Sequence, residues 1–296
     1  MKRIILAGGS GFVGSALVPP LRAKGYEPLV LGRGATDLQW DGKHVGEWAN
    51  ALDGAEAILN LTGKNINCRH TEENRRDIIS SRVDSVRALG EAIARCATPP
   101  KVFVQASGVG YYGDTADRVA DEDSPPGNDF PAEVCRLWEG AFEALNLPAT
   151  RKVVLRLGVV LGRDGGALPM LEKITRWFLG GSAGSGKQFI SWIHVADIVT
   201  LFEAAIEQPE LSGVFNATSP RPVTNNEFMR ELRRALRRPW SPPVPAALAR
   251  IGAWLMGTNG ELALTSCRCV PRRLVRHGCD FQFPDLRDAL ASLYPK

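Results

Sequence analysis

The sequence predicts a doubly wound parallel-sheet α/β fold with a smaller C-terminal lobe, and three observations predict it. Short apolar runs rich in Val, Ile and Leu alternate with longer segments of helical periodicity, the rhythm of strands joined by helical crossovers. A glycine-rich turn, GGSGFVG, follows the first apolar run. After Val159 the alternation loosens into the glycine-rich LGGSAGSGKQ and the proline-rich RRPWSPPVPAAL, compositions of loop and connector.

Taken in order, the strand candidates are residues 3–7, 27–31, 57–61, 101–106, 152–157 and 213–216, each of strand length and built around apolar, mostly β-branched or leucine residues. Apolar residues recurring at every third or fourth position mark helices over 12–23, 71–95, 131–145 and 195–206. Parallel strands cannot be joined by tight hairpins, so these helices become right-handed crossovers lying on both sheet faces. Residues 1–162 and 192–218 are assigned to the sheet domain, and 163–191 with 219–296 to the smaller lobe. Ligands of open α/β sheets sit beyond the carboxyl ends of the strands, which puts the expected site in a cleft between the lobes. Trp177, Trp192 and Trp254 are expected in the core or cleft wall of the smaller lobe.

A chain of 296 residues, 44% hydrophobic and 23% charged, buries about three quarters of its unfolded surface. The formal charge of +4 comes from basic residues scattered among acids, which argues against nucleic-acid binding. No stretch approaches the roughly 18 apolar residues of a membrane span. Two basic residues before the first apolar run imitate a secretory signal, but glycines cut that run short after Ala7. Cys68, Cys96, Cys135, Cys267, Cys269 and Cys279 form no framework of a small disulfide-bonded domain, so a reducing, cytoplasmic setting is expected. The expected assembly is a monomer or a homodimer.

Gly8, Gly11 and Gly14 stand between a strand and a helix with dinucleotide-binding spacing. The first permits a tight turn, the second lets backbone approach a pyrophosphate, and the third packs helix against strand. A phosphate there meets the free N–H groups and positive end of the helix. At the end of the second strand, where a carboxylate would accept from a ribose 2'-hydroxyl, the sequence VLGRGA puts Arg33. A guanidinium offers a planar fork of donors to a 2'-phosphate, so NADP is preferred over NAD.

These glycines, ASGVGYYG after the fourth strand and ISWIHVADI further on together resemble the extended or atypical short-chain dehydrogenase/reductases. More narrowly, NLTGKNI, SSRVDS, LRLGVVLGRDGGAL, GSGKQFISWIHVADIV and NATSPRPVTNNEF resemble their nucleoside-diphosphate-sugar-epimerase-like subfamily. The C-terminal VPRRLVRHGCDFQFPDLRDAL is similar to that subfamily's last domain, so the resemblance spans nearly the whole chain. It implies a Rossmann domain binding NADP. The positions it implies against the cofactor are Gly8, Gly11 and Gly14, the backbone of Ser10, Phe12 and Val13, then Gly32, Arg33, Leu61, Thr62, Arg82, Ser107 and Val159.

Typical members carry a tyrosine four residues before a lysine, which orients the ribose and brings the phenol down from about 10 to serve as general acid/base. None of Tyr26, Tyr111, Tyr112 and Tyr294 has a lysine four residues later. Counting back from Glu139, which resembles the family's glutamate beyond the lysine, puts Pro131 and Cys135 in the two places. The helix around them keeps an apolar face of Val134, Leu137, Trp138, Ala141 and Leu145.

The remaining candidates for chemistry lie at strand ends. Ser107 stands where the family has a serine or threonine holding the substrate oxygen, and Tyr111 and Tyr112 are phenols just beyond it. Against them stands the reading of GYYG as a turn whose rings pack on the second lobe. Arg156 closes the fifth strand and binds either a phosphate or carboxylate of the substrate or a buried acid. His194 is an acid/base or a structural group before a helix capped by Asp197. Cys267, Cys269, His277 and Cys279 crowd together, but Cys-x-Cys is tighter than usual zinc spacing, and no metal is assigned. The function read from the sequence is an NADP-dependent epimerase or oxidoreductase acting on a small polar substrate, such as a nucleotide sugar. Its rival is an NADP(H)-binding or sensing module without turnover, which the missing pair favours.

Overall fold

The computed structural model describes residues 2–295. β1 (Lys2–Ala7) is apolar from Ile4 onward and buried there, as a central strand covered by helices must be. It leads through the turn at Gly8 into α1 (Phe12–Ala23), and β2 (Tyr26–Gly32) returns parallel to it. The two-residue β3 (Leu38–Gln39) extends this edge and is too short to show as an apolar run. The other half is β4 (Ala57–Asn60), α2 (Glu72–Ala94), β5 (Val102–Gly108), α3 (Phe130–Glu143) and β6 (Arg151–Leu157).

The chain then leaves the main sheet. β7 (Val159–Gly162) turns back as β8 (Gly165–Gly166), and α4 (Leu168–Arg176) follows. β9 (Phe189–Ile190) and β10 (Trp192–His194) lead into α5 (Val195–Glu207) and β11 (Gly213–Ala217), which rejoins the sheet beside β6. β12 (Val223–Thr224), α6 (Asn225–Ala235), α7 (Ala246–Leu255), α8 (Glu261–Leu264), α9 (Arg272–Arg276) and α10 (Leu286–Leu293) complete the chain.

The main sheet has the order β11-β6-β5-β4-β1-β2-β3, and every pairing in it is parallel. Its winding reverses between β1 and β4, so the ligand crevice opens at the carboxyl ends of those two strands. Ile4, Ile5, Leu6, Ile58, Leu59, Phe103 and Val104 fill the large core between helical layers. A second core gathers Leu161, Leu168, Trp192, Phe228, Met229 and Leu286 around the small β10-β7-β8 sheet.

Two details depart from the sequence expectations. Leu274 is buried in the large core, with Cys279 and Phe281 packed against it, so part of the C-terminal stretch returns to the main sheet. On α3, Val134, Cys135, Trp138 and Phe142 are buried while Leu137 is 44% exposed, so the packed stripe is narrower than the sequence predicts.

Candidate functional site

The crevice at the switch point is built from backbone that leaves its donors free. Gly8 turns with φ +75, and a Cβ there would sit 2.9 Å from the backbone of Leu61 and Thr62. A Cβ on Gly14 would lie 2.5 Å from Gly9, so only glycine lets α1 start this close to the preceding turn. Gly11 caps α1 without any side-chain hydrogen bond, and the N–H groups of Phe12, Val13 and Gly14 have no acceptor among the described residues. A helix end left bare in this way is an anion site.

The far wall of the crevice is set by a buried amide network. Asn60, closing β4, donates to Gln105 at 2.9 Å and to Ser85 at 3.3 Å, and its oxygen accepts from the N–H of Thr62. That bond fixes the turn through Leu61 and Thr62, where the Thr62 hydroxyl is buried with no partner among the described residues. Arg82 reaches over from α2, its Nη1 donating to the carbonyls of Lys64 and Ile78 and its guanidinium lying 4.9 Å from the Trp138 ring centroid. It pairs with no carboxylate among the described residues, and burial lowers its pKa below the ordinary arginine value. Arg33, beyond the end of β2, is exposed and likewise unpaired within the described chain. The nearby Asp37 is already accepting from the N–H of Val30. Free helix amides, an orphaned threonine hydroxyl and two unpaired guanidinium groups fit a dinucleotide carrying phosphates.

The neighbouring strand ends are the opposite case. Ser107 donates to Glu139 at 2.6 Å. Glu139 accepts from Arg156 through both oxygens, at 2.9 and 2.7 Å, with both side chains largely buried. Arg156 Nη1 donates to the Tyr112 hydroxyl at 2.8 Å, and that hydroxyl donates to Asn216 at 2.7 Å. Burial pushes the Tyr112 phenol well above its ordinary range despite the adjacent arginine, and the ring is 1% exposed. Tyr111 differs: its ring lies on the Arg156 guanidinium, 3.4 Å from centroid to carbon, and its hydroxyl has no partner among the described residues.

The helix positions that the family resemblance gives to a tyrosine and a lysine hold a half-buried proline and a buried thiol. Pro131 abuts Gly110, and the Cys135 thiol donates to the carbonyl of Gly108 at 3.5 Å. Burial pushes that thiol up to about 11, so it stays protonated and poorly nucleophilic.

His194 lies away from this network. Its Nδ1 accepts from the N–H of Ala196, which makes His194 and not Asp197 the cap of α5. Its Nε2 therefore carries the proton and meets Ser292 at 3.2 Å. Burial drops the imidazole to about 4. Asp197 instead accepts from the N–H groups of Gln282 and Phe283, tying the C-terminal stretch to α5. Val159 opens β7 beside Trp192, and the far end of that strand, at Gly162, packs on the Phe12 ring of α1. The four thiol and imidazole groups near the C-terminus do not converge: Cys267 and Cys269 pack beneath the Tyr111–Tyr112 turn, Cys279 against the large core, and His277 edge-on to Phe215.

The profile of the NAD dependent epimerase/dehydratase family matches residues 4–217, almost all of the sheet and its crevice. The chain belongs to that family. A second profile, described as a domain of unknown function (DUF1731), matches residues 244–293. The mouse "Epimerase family protein SDR39U1" is 37% identical over 295 residues, covering 97% of this chain and 98% of that one. An Arabidopsis thaliana relative, "Epimerase family protein SDR39U1 homolog, chloroplastic", is 36% identical over 302 residues, covering 98% and 86%. Among solved structures, human epimerase family protein SDR39U1 (isoform 2) with NADPH superposes with a TM-score of 0.90 at 34% identity, over 99% of each chain. The fold of this epimerase-family chain is accordingly the NAD(P)-binding Rossmann-like fold, and among its described residues no helix is long and apolar enough to cross a membrane.

Within this family member, sequence reading missed three amides and one acid that hold the site: Asn60, Gln105, Asn216 and Glu122, the last accepting from the N–H groups of Asn216 and Arg273. The three amides did leave a signal, as single amides inside the apolar runs AILNL, VFVQAS and GVFNAT. An amide in such a run is buried and must find partners.

Proposed function

We propose that this protein is an NADP(H)-dependent oxidoreductase or epimerase acting at a carbinol or carbonyl carbon of a small polar substrate, a nucleotide sugar being one such class. The phosphorylated cofactor is favoured by Arg33, a free guanidinium where an NAD-binding chain would carry an acid. Gly8, the amides of Phe12 to Gly14, Thr62 and Arg82 would hold the rest of the dinucleotide, which when bound supplies a hydride donor or acceptor.

The observation that carries the catalytic reading is the linked set Ser107, Glu139, Arg156 and Tyr111 at the carboxyl ends of β5 and β6. Ser107 donates its proton to Glu139, so its lone pairs are left to accept from a substrate hydroxyl. Glu139 and Arg156 fix the serine rotamer and act as positioning residues. Tyr111 is the phenol of this set with a free hydroxyl, and the Arg156 charge against its ring stabilises negative charge that develops there during proton transfer. Tyr112 and His194 have their polar atoms engaged and are assigned to structure, and the Arg156 donors are committed to Glu139 and Tyr112 and are not free for a substrate anion.

The rival reading, a nucleotide-binding module without turnover, is favoured by Pro131 and the buried, protonated Cys135, neither of which supplies the acid/base pair. The deciding experiment follows NADPH oxidation over a panel of ketones and aldehydes, and redistribution of label at the sugar carbons over a panel of nucleotide sugars, since an epimerase returns its hydride and consumes no net NADPH. Turnover that falls at least about 100-fold in Ser107→Ala and Tyr111→Phe, with NADPH affinity unchanged, supports the enzyme. NADPH binding with no turnover on any compound supports the module.

A further inference from the structure

Outside the crevice, the smaller lobe carries a groove of about 540 Å³ lined by Pro169, Met170, Ile174, Trp177, Leu179 and Met256. Its one charged lining residue is Lys173, which forms no ion pair among the described residues. We propose that this groove binds an amphipathic anion, an acyl or prenyl chain with a carboxylate or phosphate head, the chain lying between α4 and Met256 at the end of α7 and the head meeting Lys173. The proposal goes beyond the hydride-transfer reading and holds whether or not such a ligand is turned over.

Four observations support it. First, nine of the twelve large apolar residues that stand exposed fall within 177–179 and 240–256, with Trp177 at 73% and Leu255 at 70%. Scattered surface apolar residues need no explanation, whereas a contiguous patch marks a binding surface. Second, α7 is turned inside out: Ala253 is its buried residue, while Leu248, Ile251 and Leu255, one helical stripe, face outward.

Third, α4 ends with Phe178 in the left-handed region at φ +63, the position where glycine is usual. The N–H of Leu179 bonds back to the carbonyl of Ile174, which pins both residues into the groove wall. Strain of this kind persists where surrounding structure over-determines it, and it gathers at ligand sites. Fourth, residues 163–191 and 219–262 hold eleven lysines and arginines against five acids, so the groove sits in positive surroundings.

The same facts choose among occupants. A second copy would bring an equally basic rim against this one, and like charges facing each other oppose pairing. A bilayer surface covers a convex patch but does not fill a concave groove of small-ligand volume. The groove also adjoins the crevice: α4 follows the β7–β8 turn, whose glycines rest on the Phe12 ring at the start of α1. On the other side, Arg69 donates to the carbonyl of Trp254 and lies over its ring, linking α7 to the chain beyond Thr62.

The test titrates cis-parinaric acid, a fluorescent fatty acid, into the full-length protein below its micellar concentration, in parallel with its methyl ester. Saturable binding of the acid is expected, falling at least tenfold in Ile174→Glu and Met256→Glu. Lys173→Glu should weaken the acid several-fold and leave the ester unchanged. NADPH affinity should be the same in all three variants, which separates loss of this site from misfolding and from failure of the cofactor reading. The proposal is overturned if the acid does not bind saturably, or if the variants bind it like the parent. It is equally overturned if the protein binds phosphatidylglycerol vesicles but not monomeric acid, or if Ile174→Glu merely converts a dimer into a monomer.

Discussion

The two halves of the crevice treat hydrogen bonds in opposite ways. Around Gly8, Thr62, Arg33 and Arg82, polar groups lack matching partners: bare helix amides, an orphaned hydroxyl, a free guanidinium at Arg33 and, at Arg82, one that bonds two carbonyls but no acid. Around Ser107, Glu139, Arg156 and Tyr112, each group answers another, down to the Asn216 amide that passes the network on to the carbonyl of Val270. Buried polar groups left unmatched cost stability unless a ligand matches them, whereas a closed network holds shape by itself. The difference teaches which half is made to be filled and which is made to position.

If the closed half is structural, cutting it must damage the fold. Glu139→Gln leaves the Arg156 cation buried without its counter-charge and should cost about 3 to 5 kcal/mol, read as a melting temperature lower by roughly 10 °C in calorimetry. An unchanged melting temperature would mean that the pair is solvated and the contrast between the halves is false.

His194 gives the next effect. In the folded chain its imidazole stays neutral down to about 4, against an ordinary value of 6.5. Between those values the unfolded chain binds a proton that the folded chain refuses. Stability from this group is therefore complete above about pH 6.5 and is lost as pH falls toward 4, by roughly 2 kcal/mol at pH 5. Denaturant melts of wild type and His194→Gln at pH 7 and pH 5 should show a smaller loss on acidification in the variant. Equal losses would place the imidazole in water.

The neighbouring tyrosines sharpen the comparison within four atoms of backbone. Tyr112→Phe removes a hydroxyl bonded to Arg156 and Asn216 and should destabilise by about 1 to 2 kcal/mol. Tyr111→Phe removes a hydroxyl with no partner in the described chain and should change stability by less than about 0.5 kcal/mol while lowering turnover. Chemical denaturation of both variants separates them, and the reverse ranking would exchange their roles.

The open half was legible in the sequence because it is local. Gly8, Gly11, Gly14 and Arg33 follow from a turn, a helix start or a strand end, whereas Leu61 and Thr62 are implied by the family resemblance and meet Gly8 because β1 and β4 pair. The closed half was not, because its bonds join residues that only the strand order brings together. Arg156 finds Glu139 and Tyr112, and Tyr112 finds Asn216, because β5, β6 and β11 lie side by side. A histidine before a helix advertises acid/base chemistry until Ser292, 98 residues later, is seen to hold it. Tryptophans at 177 and 254 read as core or cleft wall, yet they stand 73% and 59% exposed, since hydrophobicity alone does not say which face a helix turns outward.

The free donors of the open half make the account's central claim, that a 2'-phosphorylated dinucleotide fills this crevice. Titration calorimetry of NADPH and NADH into the wild type and Arg33→Glu tests it most directly. The wild type is expected to prefer NADPH, and the substitution to weaken NADPH by about 10- to 100-fold while leaving NADH within a few-fold. Equal affinities for the two cofactors, before and after the substitution, would contradict it.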